Sequence, residues 1–137
     1  MRSVLALAAT ALGAAALAAT AAAAPTTTLT INHVVRGCHV WAVGSGRGLA
    51  SQTIHVKAGT AFVVRNNDVM PHTLVQLGGP KIALATPKMG HSGATARFAL
   101  TAPGVYTFRT KAGEDYPGMT MKTVGPDNVL RLKVVVS

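Results

Sequence analysis

The stretch AFVVRNNDVMPHTLVQL, residues 61–77, decides the fold, because it contains two short β-strand patterns on either side of a turn. β-Branched and apolar residues dominate Ala61–Asn66 and again His72–Leu77, and in the first run Phe62 and Val64 share one face. The residues between the runs include Asn, Asp and Pro, which are typical of turns. Two half-buried strands joined in this way predict a sheet rather than a helical protein.

The same pattern extends along the chain from Thr26. Short runs of β-branched residues alternate with Gly, Pro and Asn, and no stretch has the three-four apolar spacing of a helix. The further strand candidates are Thr28–Val35, Thr53–Lys57, Ala94–Leu100, Val105–Thr110 and Val129–Val136. About seven short strands predict an all-β, antiparallel, Greek-key β-sandwich of one domain.

The first 24 residues differ in composition and are typical of a secretory signal peptide. Arg2 precedes an uncharged apolar run from Val4 to Ala19, and small residues stand before Pro25. A retained membrane anchor is the alternative, but alanine drives membrane insertion weakly and no basic cluster follows. We therefore expect a signal peptide at 1–24, a domain at 25–137, no stable membrane span, and a periplasmic or extracellular protein.

The charged residues exclude several functions. The chain has 13 Lys and Arg against 4 Asp and Glu, a formal net charge of +9. So few carboxylates argue against a calcium cage or a two-carboxylate hydrolase. The sequence also lacks a Ser-His-Asp arrangement of the kind that would indicate catalysis. The basic residues are dispersed and aromatic residues are scarce, which argues against nucleic-acid binding. We expect a monomeric, non-catalytic protein whose diffuse positive charge suits an acidic partner.

Residues with metal-binding side chains are concentrated in a few segments. They are His33, Cys38 and His39, then Met70 and His72, Met89 and His91, and Met119 and Met121. This mixture of His, Cys and Met favours copper over magnesium or calcium. Structural zinc fits less well, because there is one cysteine and no short Cys-x-Cys or His-x-His pair.

Three segments resemble the cupredoxins, the small blue-copper proteins. They are residues 56–60, residues 62–68 with the following Pro71 to Val75, and the strand from Phe98 through Pro103 to Phe108. The resemblance implies a cupredoxin sandwich over residues 27–136 and assigns His72 to the first copper-binding histidine. It also implies a Cys-His half-site later in the chain, yet Thr110 occupies the cysteine position and no histidine follows His91. A standard blue-copper centre is therefore not expected.

Other residues offer a replacement for the missing half-site. In a cupredoxin sandwich the first strand ends beside the His72 loop, and residues 87–92 reach the same rim. The preferred set is His33, Cys38, His72 and Met89, with His39, His91 and Met119 as substitutes. Cys38 and His39 are neighbours and would face opposite ways on a strand.

Of three functions that fit, a one-electron carrier is preferred, and the other two are alternatives. If Cys38 is a ligand, the protein is a one-electron carrier that holds one copper ion and docks with a redox partner. If the ligands are only His and Met, a copper chaperone or resistance protein with a copper-transfer partner fits better. The third alternative is a metal-free binding sandwich.

Overall fold

The structure is a computed structural model that describes residues 22–34, 38–112 and 129–137. Most of the predicted signal peptide, residues 1–21, lies outside this part. In the described part no helix is long and apolar enough to cross a membrane. The described residues form nine strands: β1 Thr26–Val34, β2 Cys38–Val43, β3 Ser51–Val56, β4 Thr60–Asn66, β5 His72–Gly78, β6 Lys88–Met89, β7 Thr95–Leu100, β8 Gly104–Ala112 and β9 Val129–Val136.

The strands form two sheets packed as a sandwich, which confirms the predicted fold class. Sheet A has the order β2-β1-β4-β7 and sheet B the order β3-β9-β8-β5-β6. The chain crosses repeatedly between the sheets, as in Greek-key sandwiches. All seven predicted strands are present, and β2 and the two-residue β6 are additional to them.

The sheets are mixed rather than wholly antiparallel, which corrects the prediction. Strand β1 pairs in parallel with β4, and β3 pairs in parallel with β9. Between β1 and β4 the chain runs back along β2 and crosses to sheet B for β3, so β1 and β4 enter sheet A from the same end. Parallel neighbours require such long connections, whereas antiparallel neighbours need only a turn.

Alternating apolar residues of both sheets build the core. Phe62 on β4 stacks on Phe98 of β7 at 4.7 Å between ring centroids, and Phe98 stacks on Phe108 of β8 at the same distance. This row of three rings joins sheet A to sheet B. The inward positions of β9, Leu130, Leu132, Val134 and Val136, are also buried, as their alternation predicts.

Several of the predicted metal ligands lie at one end of the sandwich. β1 and β4 end there, while β2 and β5 begin there. The segment after β4 passes through Asp68 to His72, and β6 places Met89 opposite His72. We call this end the rim.

Candidate metal centre

A buried carboxylate lies at the centre of the rim and contacts three imidazoles. Asp68 is 2% exposed, and its Oδ2 lies 2.7 Å from His39 Nε2 and 3.2 Å from His72 Nε2. Its Oδ1 lies 3.8 Å from His33 Nδ1. These four residues, His33, His39, Asp68 and His72, are called the rim cluster.

Strand pairing brings the three histidines together. His33 and His39 are cross-strand partners in the antiparallel β1–β2 pair, so they share a face, and their ring centroids are 5.3 Å apart. His72 starts β5 in the opposite sheet, and its ring lies 5.0 Å from that of His39. The side chain of His33 is 45% exposed, whereas those of His39 and His72 are fully buried. The imidazoles thus form a row from the surface into the sandwich.

Asn66 holds the segment that carries the carboxylate. Its buried amide Nδ2 donates to the carbonyl oxygens of Met70 at 2.8 Å and Met89 at 3.1 Å. Its Oδ1 accepts from the backbone N–H of Asp68 at 2.9 Å. The side chain of Asn66 therefore connects the turn after β4 to β6 and fixes where Asp68 stands.

The surroundings set the charges of the cluster. Burial lowers the pKa of His72 below its usual 6.5, and this outweighs the opposite effect of the hydrogen bond to Asp68. Burial alone would raise the pKa of Asp68. Its hydrogen bonds with His72 and His39, together with the electrostatic effect of His39, nevertheless hold that pKa below 3.8. At neutral pH the carboxylate is therefore ionised and His72 is neutral.

An ionised carboxylate has only acceptor atoms, so it decides which ring nitrogens carry protons. Nε2 of His39 and Nε2 of His72 both donate to Asp68 Oδ2. In the neutral imidazole of His72 this leaves the lone pair on Nδ1. A carboxylate that orients histidines in this way is the common outer partner of metal-binding imidazoles.

Two buried imidazole nitrogens of the rim cluster lack a hydrogen-bond partner within the described residues. They are Nδ1 of His39 and Nδ1 of His72. An unpaired buried polar atom costs about 1–3 kcal/mol, a cost that a bond to a metal ion removes. His33, His39 and Asp68 also offer one ligand atom each, all within 4.8 Å of one another. The residues present fit a transition-metal ion bound by imidazole and carboxylate.

The other predicted ligands lie outside the rim cluster or outside the described residues. Met89 is fully buried and is the cross-strand partner of His72. His91 is exposed, and its Nδ1 donates to the carbonyl of Ser92 at 2.9 Å rather than to the cluster. Cys38 is the backbone partner of Val34 at the start of β2, and its side chain is outside the described part. Met119 is also outside the described residues.

Sequence reasoning ranked His39 as a substitute and missed Asp68. His39 contacts both the carboxylate and the ring of His72, and so occupies the middle of the cluster. Asp68 stands in an Asn-rich turn, where an Asp is ordinarily a turn residue. The sequence signal for Asp68 is its position four residues before His72, close to the start of β5, which places a carboxylate near that imidazole.

Thr110 stands where the cupredoxin resemblance expects a cysteine. It lies on β8 as the cross-strand partner of Leu74, two residues beyond His72, and is fully buried. Its hydroxyl oxygen has no hydrogen-bond partner among the described residues. The structure thus keeps this position inward while offering a hydroxyl instead of a thiol.

Comparison with known proteins gives likenesses of structure alone. No family model and no curated protein matches the sequence. Among solved structures, the chain is similar to a purple cupredoxin from Nitrosopumilus maritimus, with a TM-score of 0.47, 16% identity, and coverage of 80% of this chain and 98% of that one. It is also similar to a reduced single-site mutant of amicyanin, with a TM-score of 0.38, 22% identity, and coverage of 64% of this chain and 70% of that one. A cysteine protease inhibitor from Entamoeba histolytica is similar with a TM-score of 0.45, 11% identity, and coverage of 85% of this chain and 100% of that one. The chain is a two-sheet β-sandwich with a cluster of three histidines around one aspartate at its rim.

Proposed function

We propose that this protein binds one copper ion at the rim cluster. The observation that carries the proposal is the pair of buried imidazoles, His39 and His72, which share the Asp68 carboxylate and have unpartnered Nδ1 atoms among the described residues. Imidazole donors suit copper and zinc far better than magnesium or calcium. Met89, buried opposite His72, adds a soft sulfur to the neighbourhood and favours copper over zinc.

The described donors best support a protein that holds copper and hands it on. They are imidazole and carboxylate groups, and one of them, His33, is half exposed where a partner can reach it. Bound copper would supply one-electron chemistry or serve as cargo, depending on whether a thiolate joins the ligands. The electron carrier is the second candidate, and it requires the thiolate of Cys38, which begins β2 at the rim, as a further ligand.

The test is copper loading of the domain over residues 25–137. Titration with Cu(II) and Cu(I) should give one bound ion, with affinity greatly reduced in His39→Gln and His72→Gln. His55→Gln is the matched control, because His55 is exposed on β3 and makes no contact with the cluster. A strong visible band that disappears in Cys38→Ser supports the electron carrier, and binding without it supports copper transfer. Equal weak binding by all variants would contradict the proposal.

We also propose an acidic partner for the outer face of sheet B. Arg109 and Arg131 are direct cross-strand neighbours on β8 and β9, and Lys133 follows on the same face of β9. Like charges placed opposite one another are unfavourable in a sheet, so an anionic surface would be stabilising here. Among the described residues, the one acidic side chain is the buried Asp68.

Cation-exchange chromatography tests the placement of this charge. Arg109→Gln with Arg131→Gln should elute at markedly lower salt. The control pair, Arg65→Gln with Arg97→Gln, removes the same charge from the outer positions of sheet A. An equal shift for both pairs would contradict a special role for sheet B.

Export is part of the proposal. With residues 1–24 as a signal peptide, the protein would act in the periplasm or outside the cell as a non-catalytic monomer. Amino-terminal sequencing of the protein recovered from the producing cells should begin at Pro25, and a start at Met1 would argue against export.

A further inference from the structure

The three imidazoles of the rim cluster share one carboxylate but differ sharply in exposure. His33 has a 45% exposed side chain, while His39 and His72 are buried. Asp68 divides its oxygens between them, since Oδ1 faces His33 and Oδ2 accepts from the two buried rings. The rings meet edge to face, His33 on His39 and His39 on His72, with interplanar angles of 77° in both contacts.

These contacts define two overlapping groups of donors. The outer group is His33, His39 and Asp68, whose ligand atoms lie within 4.8 Å of one another. The inner group is His39 and His72, each with a buried Nδ1 that has no partner among the described residues. His39 is the residue that the two groups share.

We propose that His33 is the gateway ligand of the copper site. It offers the first protein donor to an ion at the surface, together with the Asp68 carboxylate and His39, and the buried pair His39 and His72 holds the ion at rest. This inference rests on the proposed copper binding and assigns a separate task to His33. A donor on the entry path affects capture and release alike, because the two processes follow the same path in opposite directions.

The position of His33 supports this task better than that of the other exposed histidines. His55 lies on β3 in the other sheet, and His91 uses its Nδ1 on the carbonyl of Ser92. Of the exposed histidines in the described part, His33 is the one that contacts Asp68. Because His33 is half exposed near the end of β1, substituting its side chain should not disturb the core.

The test separates rate from affinity in His33→Gln. Stopped-flow mixing with Cu(II) measures capture, transfer to excess chelator measures release, and a chelator competition gives the dissociation constant. We expect capture and release each to slow about tenfold, which corresponds to about 1.4 kcal/mol of barrier, while the dissociation constant changes less than about threefold. His55→Gln is the matched control and should exchange copper like the wild type.

Other outcomes overturn the inference in distinguishable ways. If His33→Gln releases copper faster and binds it as weakly as His72→Gln, His33 is a resting ligand rather than a gateway. If it exchanges copper at the wild-type rate, His33 has no role in access. Both results leave copper binding intact, whereas a wild-type domain that captures no copper would overturn the proposed function as well. Thermal melting of the metal-free variant should match the wild type and so exclude a folding defect.

Discussion

Replacing Asp68 with Asn probes the organisation of the rim cluster with almost no change of shape. The ionised carboxylate accepts N–H groups from His39 and His72 at the same oxygen. A neutral amide has one acceptor oxygen, and its NH2 group only donates. That oxygen can accept from the two rings or from the backbone N–H of Val69, which now donates to Asp68 Oδ1 at 2.7 Å, but not from both sides. In either orientation the NH2 group of the amide faces an N–H donor, so the amide no longer fixes both imidazoles as the carboxylate does.

The expected loss of copper affinity follows from the loss of this charged acceptor, which orients both imidazoles. Removing an outer partner of a metal-binding histidine typically costs about 10–100-fold in affinity, roughly 1.4–2.7 kcal/mol. The metal-free fold should change less, because the amide has nearly the same shape and no longer carries a buried charge. Asp68→Asn should thus lower copper affinity strongly and shift the melting temperature of the metal-free domain only slightly.

Chelator competition with the purified domain measures this loss. The matched control is Asn67→Ser, since Asn67 lies in the same turn but is exposed and its side chain donates to Asn32 Oδ1 at 3.1 Å, outside the cluster. The control should bind copper like the wild type. Wild-type affinity in Asp68→Asn would refute the idea that this carboxylate orients the histidines.

Three further outcomes concern the stability of the metal-free domain. Burial lowers the pKa of His72, so the unfolded chain binds a proton more readily than the folded chain does. The melting temperature should therefore fall as the pH decreases from about 7 to about 5. His72→Gln should make the melting temperature less dependent on pH over this range. Asn66→Ala removes the buried hydrogen bonds to the carbonyls of Met70 and Met89 and should cost about 2–4 kcal/mol in urea unfolding; a loss below about 1 kcal/mol would argue that this turn is held by other contacts. Gly79 has φ +94°, and an added Cβ would lie 2.5 Å from the carbonyl oxygen of Val105, whereas Gly59 has φ +90° and open space around it. Gly79→Ala should therefore lower the free energy of unfolding by well over the roughly 1 kcal/mol expected of Gly59→Ala. Equal losses of stability in the two variants would contradict the clash.

The strands that the sequence predicts are those with a clear two-residue period. In β9, Leu130 and Leu132 alternate with Arg131 and Lys133, and the structure buries the leucines and exposes the basic residues. Strand β2 was missed because the run from Val40 to Val43 is apolar at every position and so lacks that period. β6 has two residues, too short for any pattern to indicate.

The candidate site was harder to predict because its composition depends on register. Cys38 and His39 are adjacent, and sequence alone does not decide which of them shares a face with His33. The β1–β2 pairing sets His33 opposite His39 and Val34 opposite Cys38, so His39 reaches the carboxylate. Asp68 owes its role to burial and to contacts made across both sheets, which no local pattern of the turn reveals.

The central claim is that the two buried imidazoles around Asp68 bind copper. X-ray absorption of the domain loaded with one equivalent of copper tests it most directly. We expect imidazole scattering from two histidines at about 2.0 Å from copper, reduced to one or lost in His39→Gln and His72→Gln but unchanged in His55→Gln. A spectrum without imidazole ligands, or one that keeps both of them in His39→Gln, would contradict it.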